Sequence, residues 1–122
     1  KNNSLSSRII FEKPTNEIKK LYLSSDIVIN SSINPEGFGR TISESLALNI
    51  PVVGPNLGGV KEQLENFDSN LLYQVYSCES LQKALKYTID NYFDISSKSR
   101  DFVIKNFSLE KMIKETIKVY EL

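Results

Sequence analysis

The sequence predicts an α/β fold in which helices cover both faces of a parallel sheet. Short apolar runs alternate with amphipathic segments along the 122 residues, and loops containing Gly, Pro or Asn separate them. This strand–helix alternation is typical of parallel sheets with right-handed crossover connections. We therefore expect a three-layer, Rossmann-like parallel sheet with extra helices at the carboxyl end.

Four short apolar runs, each bounded by turn-forming residues, predict the strands. They lie at residues 8–11, 26–30, 51–54 and 71–75. The centre of the second run is an uninterrupted Ile-Val-Ile, which favours a strand covered on both faces. Four strands make a small sheet for this architecture, and the chain begins with Lys. We expect it to be a piece of a longer protein, with residues 1–122 forming part of one domain.

Amphipathic segments predict the helices between and after the strands. Asn16 is the expected cap of the first, and Asn49 is expected to close the second, which begins at Thr41, because Asn tolerates the left-handed conformation. Ser108 is the expected cap of the last helix. The other predicted helices lie at about residues 60–67, 81–92 and 96–105. The last helix carries one stripe of mainly apolar residues: Leu109, Met112, Ile113, Thr116, Ile117 and Tyr120.

Composition excludes several classes of function. Lys plus Arg and Asp plus Glu both number 15, so the zero net charge gives no electrostatic footprint for nucleic acid. The chain has no His and one Cys, which excludes a Ser-His-Asp triad, a His-based metal site and an internal disulfide within it. No apolar run approaches the roughly 18–20 residues that span a bilayer. We expect a cytoplasmic protein.

The most informative stretch is Asn34 to Glu44, between the second and third predicted strands. It places Glu36 and Glu44 eight positions apart around a Gly-Phe-Gly turn that leads into a helix. Ligands of open α/β sheets bind at the carboxyl ends of strands, and helix N-termini favour anions. A carboxylate can accept hydrogen bonds from two neighbouring hydroxyls. This pattern indicates a ligand that carries both hydroxyls and phosphate.

The same residues allow a purely structural interpretation. Thr41 to Glu44 fits a capping box, in which the Glu44 side chain folds back onto the first amide of the helix. Glu36 could then be a solvated residue in an ordinary turn. The local pattern alone leaves both interpretations open.

Several motifs with matching order and spacing extend the pattern. Ser25-Asp-Ile-Val-Ile-Asn-Ser-Ser is followed by Pro35-Glu-Gly-Phe-Gly, then by Glu44-Ser-Leu-Ala-Leu, Ile50-Pro-Val-Val and Gly58-Gly-Val-Lys-Glu. This resembles the carboxyl-terminal half of the group 1 (family 4) glycosyltransferases, which have the two-domain GT-B fold. Glu36 and Glu44 match that family's Glu-x7-Glu motif.

The resemblance implies transfer of a sugar from a UDP- or GDP-type nucleotide sugar with retention of anomeric configuration, without metal or cofactor. It implies that Glu36, the catalytic residue of this set, contacts hydroxyls of the donor sugar and that Glu44 holds the ribose hydroxyls. The remaining expected substrate-binding residues line the sugar or face the diphosphate through their amides: Gly37, Phe38, Gly39, Arg40 and Thr41.

The resemblance also implies partners outside this chain. A basic Arg/Lys pair and the site for a glycan or lipid-linked acceptor are expected in missing parts of the same polypeptide, so we expect the chain to be inactive alone. The full-length protein could attach peripherally to the inner face of a membrane. The apolar stripe of the last helix is expected to pack towards the absent amino-terminal domain and so to be exposed here. The alternatives are a non-catalytic nucleotide- or partner-binding domain and a nucleotide-sugar epimerase.

Overall fold

A computed structural model describes residues 5–121. Three short strands form one sheet: β1 (Val28–Ile29), β2 (Val52–Pro55) and β3 (Leu72–Tyr73). Six α-helices accompany them in the described part of the chain: α1 (Ile18–Leu23), α2 (Arg40–Ala47), α3 (Gly58–Phe67), α4 (Cys78–Asp90), α5 (Tyr92–Phe107) and α6 (Leu109–Tyr120). Single 3-10 turns lie at Ser6–Arg8 and Ser69–Leu71.

The strands are parallel and lie in the order β1-β2-β3. Val28 is in register with Val52, and Gly54 with Leu72. Every residue of the central strand β2 is buried, and its successive side chains point to opposite faces of the sheet. The two faces of β2 therefore belong to two separate cores.

One core lies between β2 and the helices α2, α3 and α5, and it includes Val52. The other lies between Val53 and α4, on the opposite face. The result is the predicted three-layer arrangement, with α5 and α6 as the extra carboxyl-terminal helices, so the predicted fold class is confirmed. The first core is built from residues that are almost fully buried: Ile42, Leu46, Val52, Val60, Leu64, Leu71 and Ile95.

The strand predicted at residues 8–11 is wrong. Residues 9–17 form neither helix nor strand, and the exposed fractions of Ile10 and Phe11 are 80% and 92%. A run of apolar residues becomes a buried strand only where a neighbouring strand accepts its hydrogen bonds and a core covers it. Within residues 5–121 this run has neither, so the sheet has three strands instead of the predicted four.

Two details of the following segments also differ from the prediction. The first helix begins at Ile18 with Glu17 before it, and no side chain caps it, so the expected cap at Asn16 is wrong. The strand expected to be covered on both faces is the edge strand β1, in which Ile29 is 43% exposed. The two preceding apolar residues are partly buried against the two cores, Val28 on one face and Ile27 on the other, so the strand is partly covered on both faces.

The later helices follow the predicted periodicity with shifted bounds. Asn49 has a φ of 59°, which confirms its expected left-handed conformation after α2. The helix expected at 81–92 ends at Asp90, and α5 extends the helix expected at 96–105 in both directions. Ser108 caps α6 by accepting a hydrogen bond from the amide of Lys111 at 3.2 Å, as predicted.

Every residue of α6 is exposed, and its apolar stripe is no exception. Met112 is 59% exposed, Ile113 48% and Ile117 49%. The predicted exposure of this stripe is confirmed. None of the helices within residues 5–121 is both long and apolar enough to cross a lipid bilayer.

Candidate functional site

The predicted site loop connects β1 to α2 at the carboxyl end of the edge strand. It ends at Gly39, which has a φ of 78° and directly precedes α2. A Cβ atom built at Gly39 would lie 2.7 Å from a methyl carbon of Val60 on α3. Both the positive φ and this close approach require glycine here. Gly37 has open space around it, so no contact of this kind requires glycine there.

Glu36 is half-buried and held by two neighbours. Its Oε1 atom accepts hydrogen bonds from the Asn30 side-chain amide, at 2.9 Å, and from the Ser32 hydroxyl. Hydrogen bonds from Ser32 and then Asn30 hold the pKa of Glu36 below its ordinary value. No residue in the described part of the chain donates to its second oxygen, Oε2. The interpretation of Glu36 as a freely solvated turn residue is therefore wrong.

Asn30 is the residue through which the sheet supports Glu36. It is 5% exposed, and its backbone amide pairs with the Val53 carbonyl of β2 at 2.9 Å. Its carbonyl accepts from the Tyr73 hydroxyl of β3 at 2.9 Å, and its side-chain oxygen accepts from the Ser32 amide at 3.1 Å. All three strands thus converge on the residue that orients the Glu36 carboxylate.

Glu44 has a different set of partners. Its Oε2 atom accepts from the Tyr22 hydroxyl at 3.0 Å, and its Oε1 atom forms an ion pair with Arg40 at 2.9 Å. Tyr22 belongs to α1 and is 8% exposed, whereas the Arg40 side chain is 83% exposed. Burial and the bond to Glu44 raise the pKa of Tyr22, so its hydroxyl keeps its proton as a donor to Glu44.

The capping-box interpretation of Glu44 is wrong. Gly39, not Thr41, occupies the cap position of α2, and no side chain caps the helix. A capping box would place Glu44 in the first turn of α2, but Glu44 lies in the second turn. Its side chain is bonded to Tyr22 and Arg40 instead. The carboxylate is therefore displayed beside the start of α2 without belonging to its cap.

The first turn of α2 contains Arg40 and Thr41. Amides at these positions have no intrahelical acceptor, and together they carry the partial positive charge of the helix N-terminus. Thr41 is half-buried and Arg40 exposed. In sequence, the two oriented carboxylates thus flank the start of α2, which favours an anion.

The start of α3 packs directly against this loop. The Gly59 amide donates to the Glu36 carbonyl at 2.8 Å. A Cβ atom at Gly58 would lie 2.7 Å from the Glu36 carbonyl oxygen, and one at Gly59 would lie 2.6 Å from the Phe38 Cα. The Gly-Gly pair of the sequence motif therefore lets the start of α3 pack closely against the site loop.

Aromatic contacts support the loop from a second direction. The Phe38 ring meets Phe107, at the end of α5, edge to face with 5.4 Å between ring centroids. Phe107 in turn contacts Phe102, which packs against the main core. The side chain of Phe38 thus contacts the helical layer on one side and remains 45% exposed.

Sequence reasoning missed four residues of this site: Tyr22, Asn30, Ser32 and Gln63. Asn30 ends a predicted strand and Ser32 lies two residues beyond it, six and four positions before Glu36, and that placement is a signal that could have been used. Gln63 interrupts the apolar stripe of α3 that also holds Val60 and Leu64, and it is 2% exposed. A polar residue within an apolar helical stripe has to find partners, and Gln63 finds them in the site loop.

The structure also bears on metal binding. No group of three or more His, Cys, Asp or Glu side chains within residues 5–121 is arranged to hold a metal ion. Cys78 is exposed, with a free thiol.

Solved structures with similar folds define the class of the protein. A glycosyltransferase from Rickettsia africae is 33% identical, with a TM-score of 0.74 over 88% of this chain and 30% of that one. Anabaena HepE in complex with UDP and glucose is 23% identical, with a TM-score of 0.82 over 96% of this chain and 33% of that one. The fold is that of a part of these larger proteins.

Residues 1–108 match the profile of the family described as "Glycosyl transferases group 1". The chain therefore belongs to the group 1 glycosyltransferases, as the sequence motifs predicted. The N-acetyl-alpha-D-glucosaminyl L-malate synthase of Bacillus anthracis is 24% identical over 98% of this chain and 32% of its own length. The trehalose synthase of Pyrococcus horikoshii is 30% identical over 78% of this chain and 23% of its own length. The chain thus spans about a third or less of these curated relatives.

Proposed function

We propose that this chain is the donor-binding part of a retaining glycosyltransferase that transfers a sugar from a UDP- or GDP-type nucleotide sugar to a glycan or lipid acceptor. The observation that carries the proposal is the pair Glu36 and Glu44, each oriented by a buried neighbour, on either side of the start of α2. Family membership supplies the reaction class.

Glu36 is proposed to bind the hydroxyls of the donor sugar. Its Oε1 atom is committed to Asn30 and Ser32, so its orientation is fixed before a ligand arrives. A low pKa keeps the carboxylate ionised and able to accept hydrogen bonds from a diol at neutral pH. The backbone of Gly37, Phe38 and Gly39 would line the same sugar.

Glu44 is proposed to hold the ribose hydroxyls of the nucleotide. Tyr22 fixes one of its oxygens from a buried position, and exposed Arg40 occupies the other. An exposed ion pair of this kind contributes only about 0–1 kcal/mol. A ribose diol can therefore replace Arg40 on Glu44 at little cost.

The diphosphate is proposed to bind the first turn of α2, at the amides of Arg40 and Thr41. Helix N-termini stabilise anions through these amides and the helix dipole. Negative charge grows on the diphosphate as the sugar leaves, so donors aimed at it accelerate the reaction without a metal or another cofactor. The presence of UDP and glucose in the HepE structure supports this class of donor.

The acceptor site, the catalytic partner groups and a basic pair for the leaving diphosphate are proposed to lie in another domain of the same polypeptide. This division of labour is why the chain is proposed to be inactive alone. A lipid-linked acceptor would place the polypeptide at the inner face of a membrane as a peripheral protein.

Calorimetric titration of the whole natural polypeptide with UDP and with GDP tests the proposal. One of the two should bind with a dissociation constant of about 1 μM to 1 mM, the usual range for enzyme substrates. The matching nucleotide sugar should then be consumed, and proton NMR of the product should show retention at the anomeric carbon.

Each other outcome points to a different conclusion. Absence of binding to either nucleotide at about 10 mM would overturn the proposal. Binding without turnover of any nucleotide sugar would favour the non-catalytic alternative. Transfer by the isolated chain would contradict its proposed inactivity and leave the donor site standing.

A further inference from the structure

Gln63 lies where an apolar residue would be expected. It is on α3 between Val60 and Leu64, both of which are essentially fully buried in the main core, and it is itself 2% exposed. Polar side chains in such positions are retained only where they are hydrogen-bonded or have a role other than stability.

The side-chain amide of Gln63 contacts the site loop from the α3 side. Its Nε2 atom donates to the carbonyl of Phe38 and, at 3.2 Å, to the carbonyl of Gly39. Since both partners are carbonyls, the NH2 group has to face the loop. The other end of the amide, Oε1, is buried and has no hydrogen-bond partner among the described residues.

This arrangement does not maximise stability. A buried acceptor without a partner is costly, and an apolar side chain of the same volume would avoid that cost. The two hydrogen bonds of Nε2 offset the cost of the unpaired Oε1 only in part, so the Gln63 amide contributes less to folding than a fully paired amide would. The benefit of the residue has to be sought in what it does to the loop.

What it does follows from the planarity of the peptide bond. The Phe38 carbonyl shares a rigid plane with the Gly39 amide, and the Gly39 carbonyl shares one with the Arg40 amide. In a trans peptide the N–H points away from the C=O. By holding both carbonyls on the α3 side, Gln63 directs the amides of Gly39 and Arg40 to the opposite side.

The conformational freedom of Gly39 makes this restraint on the peptide planes necessary. With no Cβ, Gly39 has more freedom to rotate the adjoining peptide planes than a residue with a side chain. One other hydrogen bond restrains it, from the Ile42 amide to the Gly39 carbonyl at 3.0 Å. Within residues 5–121, the Phe38 carbonyl accepts a hydrogen bond from the Gln63 amide alone.

We propose that Gln63 is a positioning residue for sugar transfer, which orients the Gly39 and Arg40 amides towards the donor without touching it. The proposal rests on the proposed function in assigning a donor to these amides. The claim that Gln63 orients them stands on the geometry of this chain.

The test compares Gln63→Met with Gln82→Met in the whole natural polypeptide. Met keeps the length and volume of Gln without the N–H donors, and Gln82 is an exposed residue of α4 that controls for the change of side chain. Gln63→Leu serves as a second variant should Met pack poorly. The readouts are melting temperature, steady-state transfer kinetics, and NMR of the backbone amides.

We expect kcat/KM of Gln63→Met to fall by about 10- to 100-fold, mostly in kcat, because oriented amides matter most where charge develops. The melting temperature should stay within about 4 °C of the wild type. The Gly39 and Arg40 amide resonances should shift and their hydrogen exchange should accelerate. Gln82→Met should change none of these.

Two results would overturn the proposal. Unchanged kinetics with unchanged amide resonances would show that the loop keeps its geometry without Gln63. A fall in activity that merely follows a lower melting temperature in both Gln63 variants would show a structural role. If the wild type bound no nucleotide, the proposed function would fail, and the amide resonances would still decide whether Gln63 orients the loop.

Discussion

The two carboxylates of the site are supported in different ways. Glu36 is held on one oxygen by Asn30 and Ser32, neutral donors that follow β1, and Asn30 is itself fixed by all three strands. Glu44 is held by buried Tyr22 on one oxygen and by exposed Arg40 on the other.

The difference shows how one loop and one helix can present a rigid group and an exchangeable group together. A partly buried network of neutral hydrogen bonds keeps its geometry, because breaking it leaves buried groups unpaired. An exposed ion pair is worth little and is readily replaced. Glu36 is therefore suited to fixing a reacting sugar, and Glu44 to closing on a nucleotide as Arg40 leaves it.

The largest expected effect comes from the rigid group. Glu36→Gln in the whole polypeptide should lower kcat/KM for transfer by about 100-fold or more, since a neutral amide accepts sugar hydroxyls weakly and misplaces the sugar. Nucleotide affinity should change by less than about threefold. Steady-state kinetics and titration with the nucleotide measure the two effects.

Glu65→Gln, at an exposed position on α3 outside the family motifs, is the matched control for that substitution. Activity of the Glu36 variant close to that of the control would break the assignment of Glu36 to the sugar.

Substitution of Glu44, the exchangeable group, should mainly weaken nucleotide binding. Glu44→Gln should weaken nucleotide binding by about 1–3 kcal/mol, the usual cost of losing a charged hydrogen-bond partner. The free energy of unfolding should fall by no more than about 1 kcal/mol, because the ion pair with Arg40 is exposed. Titration and urea denaturation separate the two; unchanged affinity with lowered stability would assign Glu44 to the fold alone.

Substitutions of the residues that hold the two carboxylates should have smaller effects, which are measured as losses of stability. Asn30→Ala should cost about 1–3 kcal/mol of stability, because it leaves the Ser32 amide unpaired and removes a donor to Glu36. Tyr22→Phe removes one hydrogen bond and should cost about 0.5–1.5 kcal/mol. Urea denaturation compares the two variants. Equal costs would mean that Glu36 is no more firmly supported than Glu44.

The smallest expected effect is the pH dependence of stability that arises from Glu36. Its pKa in the folded chain lies below the ordinary value of 4.5, so the resulting stability is present above pH 4.5 and is lost as the pH falls through the folded value. Ser32 is the main cause, and Ser32→Ala should raise that pKa. The stability difference between wild type and variant should therefore shrink on acidification below pH 4.5.

Urea denaturation between neutral pH and about pH 3 measures this difference. A constant difference across that range would show that Ser32 stabilises the fold independently of the Glu36 charge.

Local pattern was sufficient for most of the fold. The positions of β2, α2, α3, α4 and α6 follow from apolar periodicity and turn residues. The first four bury apolar residues in the two cores, whereas every residue of α6 is exposed. Periodicity was insufficient at residues 8–11, where the structure contains no strand. An apolar run has the same appearance whether or not a pairing edge is available, and only the assembled sheet decides.

The site shows the same division. The identity of Glu36, Glu44 and the glycines was readable because their types and spacing form a motif. The partners were not readable, since Tyr22 lies 22 positions from Glu44 and Gln63 lies 25 from Phe38. Such contacts depend on how α1 and α3 pack around the loop.

The order of residues thus determined which groups this protein presents: two carboxylates, a Gly-Phe-Gly turn and a helix start, within an α/β chain of the group 1 glycosyltransferases. The tertiary structure decided how each group is held. It showed that Glu44 does not form a capping box, that Asn30 and Ser32 donate hydrogen bonds to Glu36, and that Gln63 contacts the loop from the α3 side. Chemistry follows from residue type, whereas orientation follows from contacts between elements that are distant in the chain.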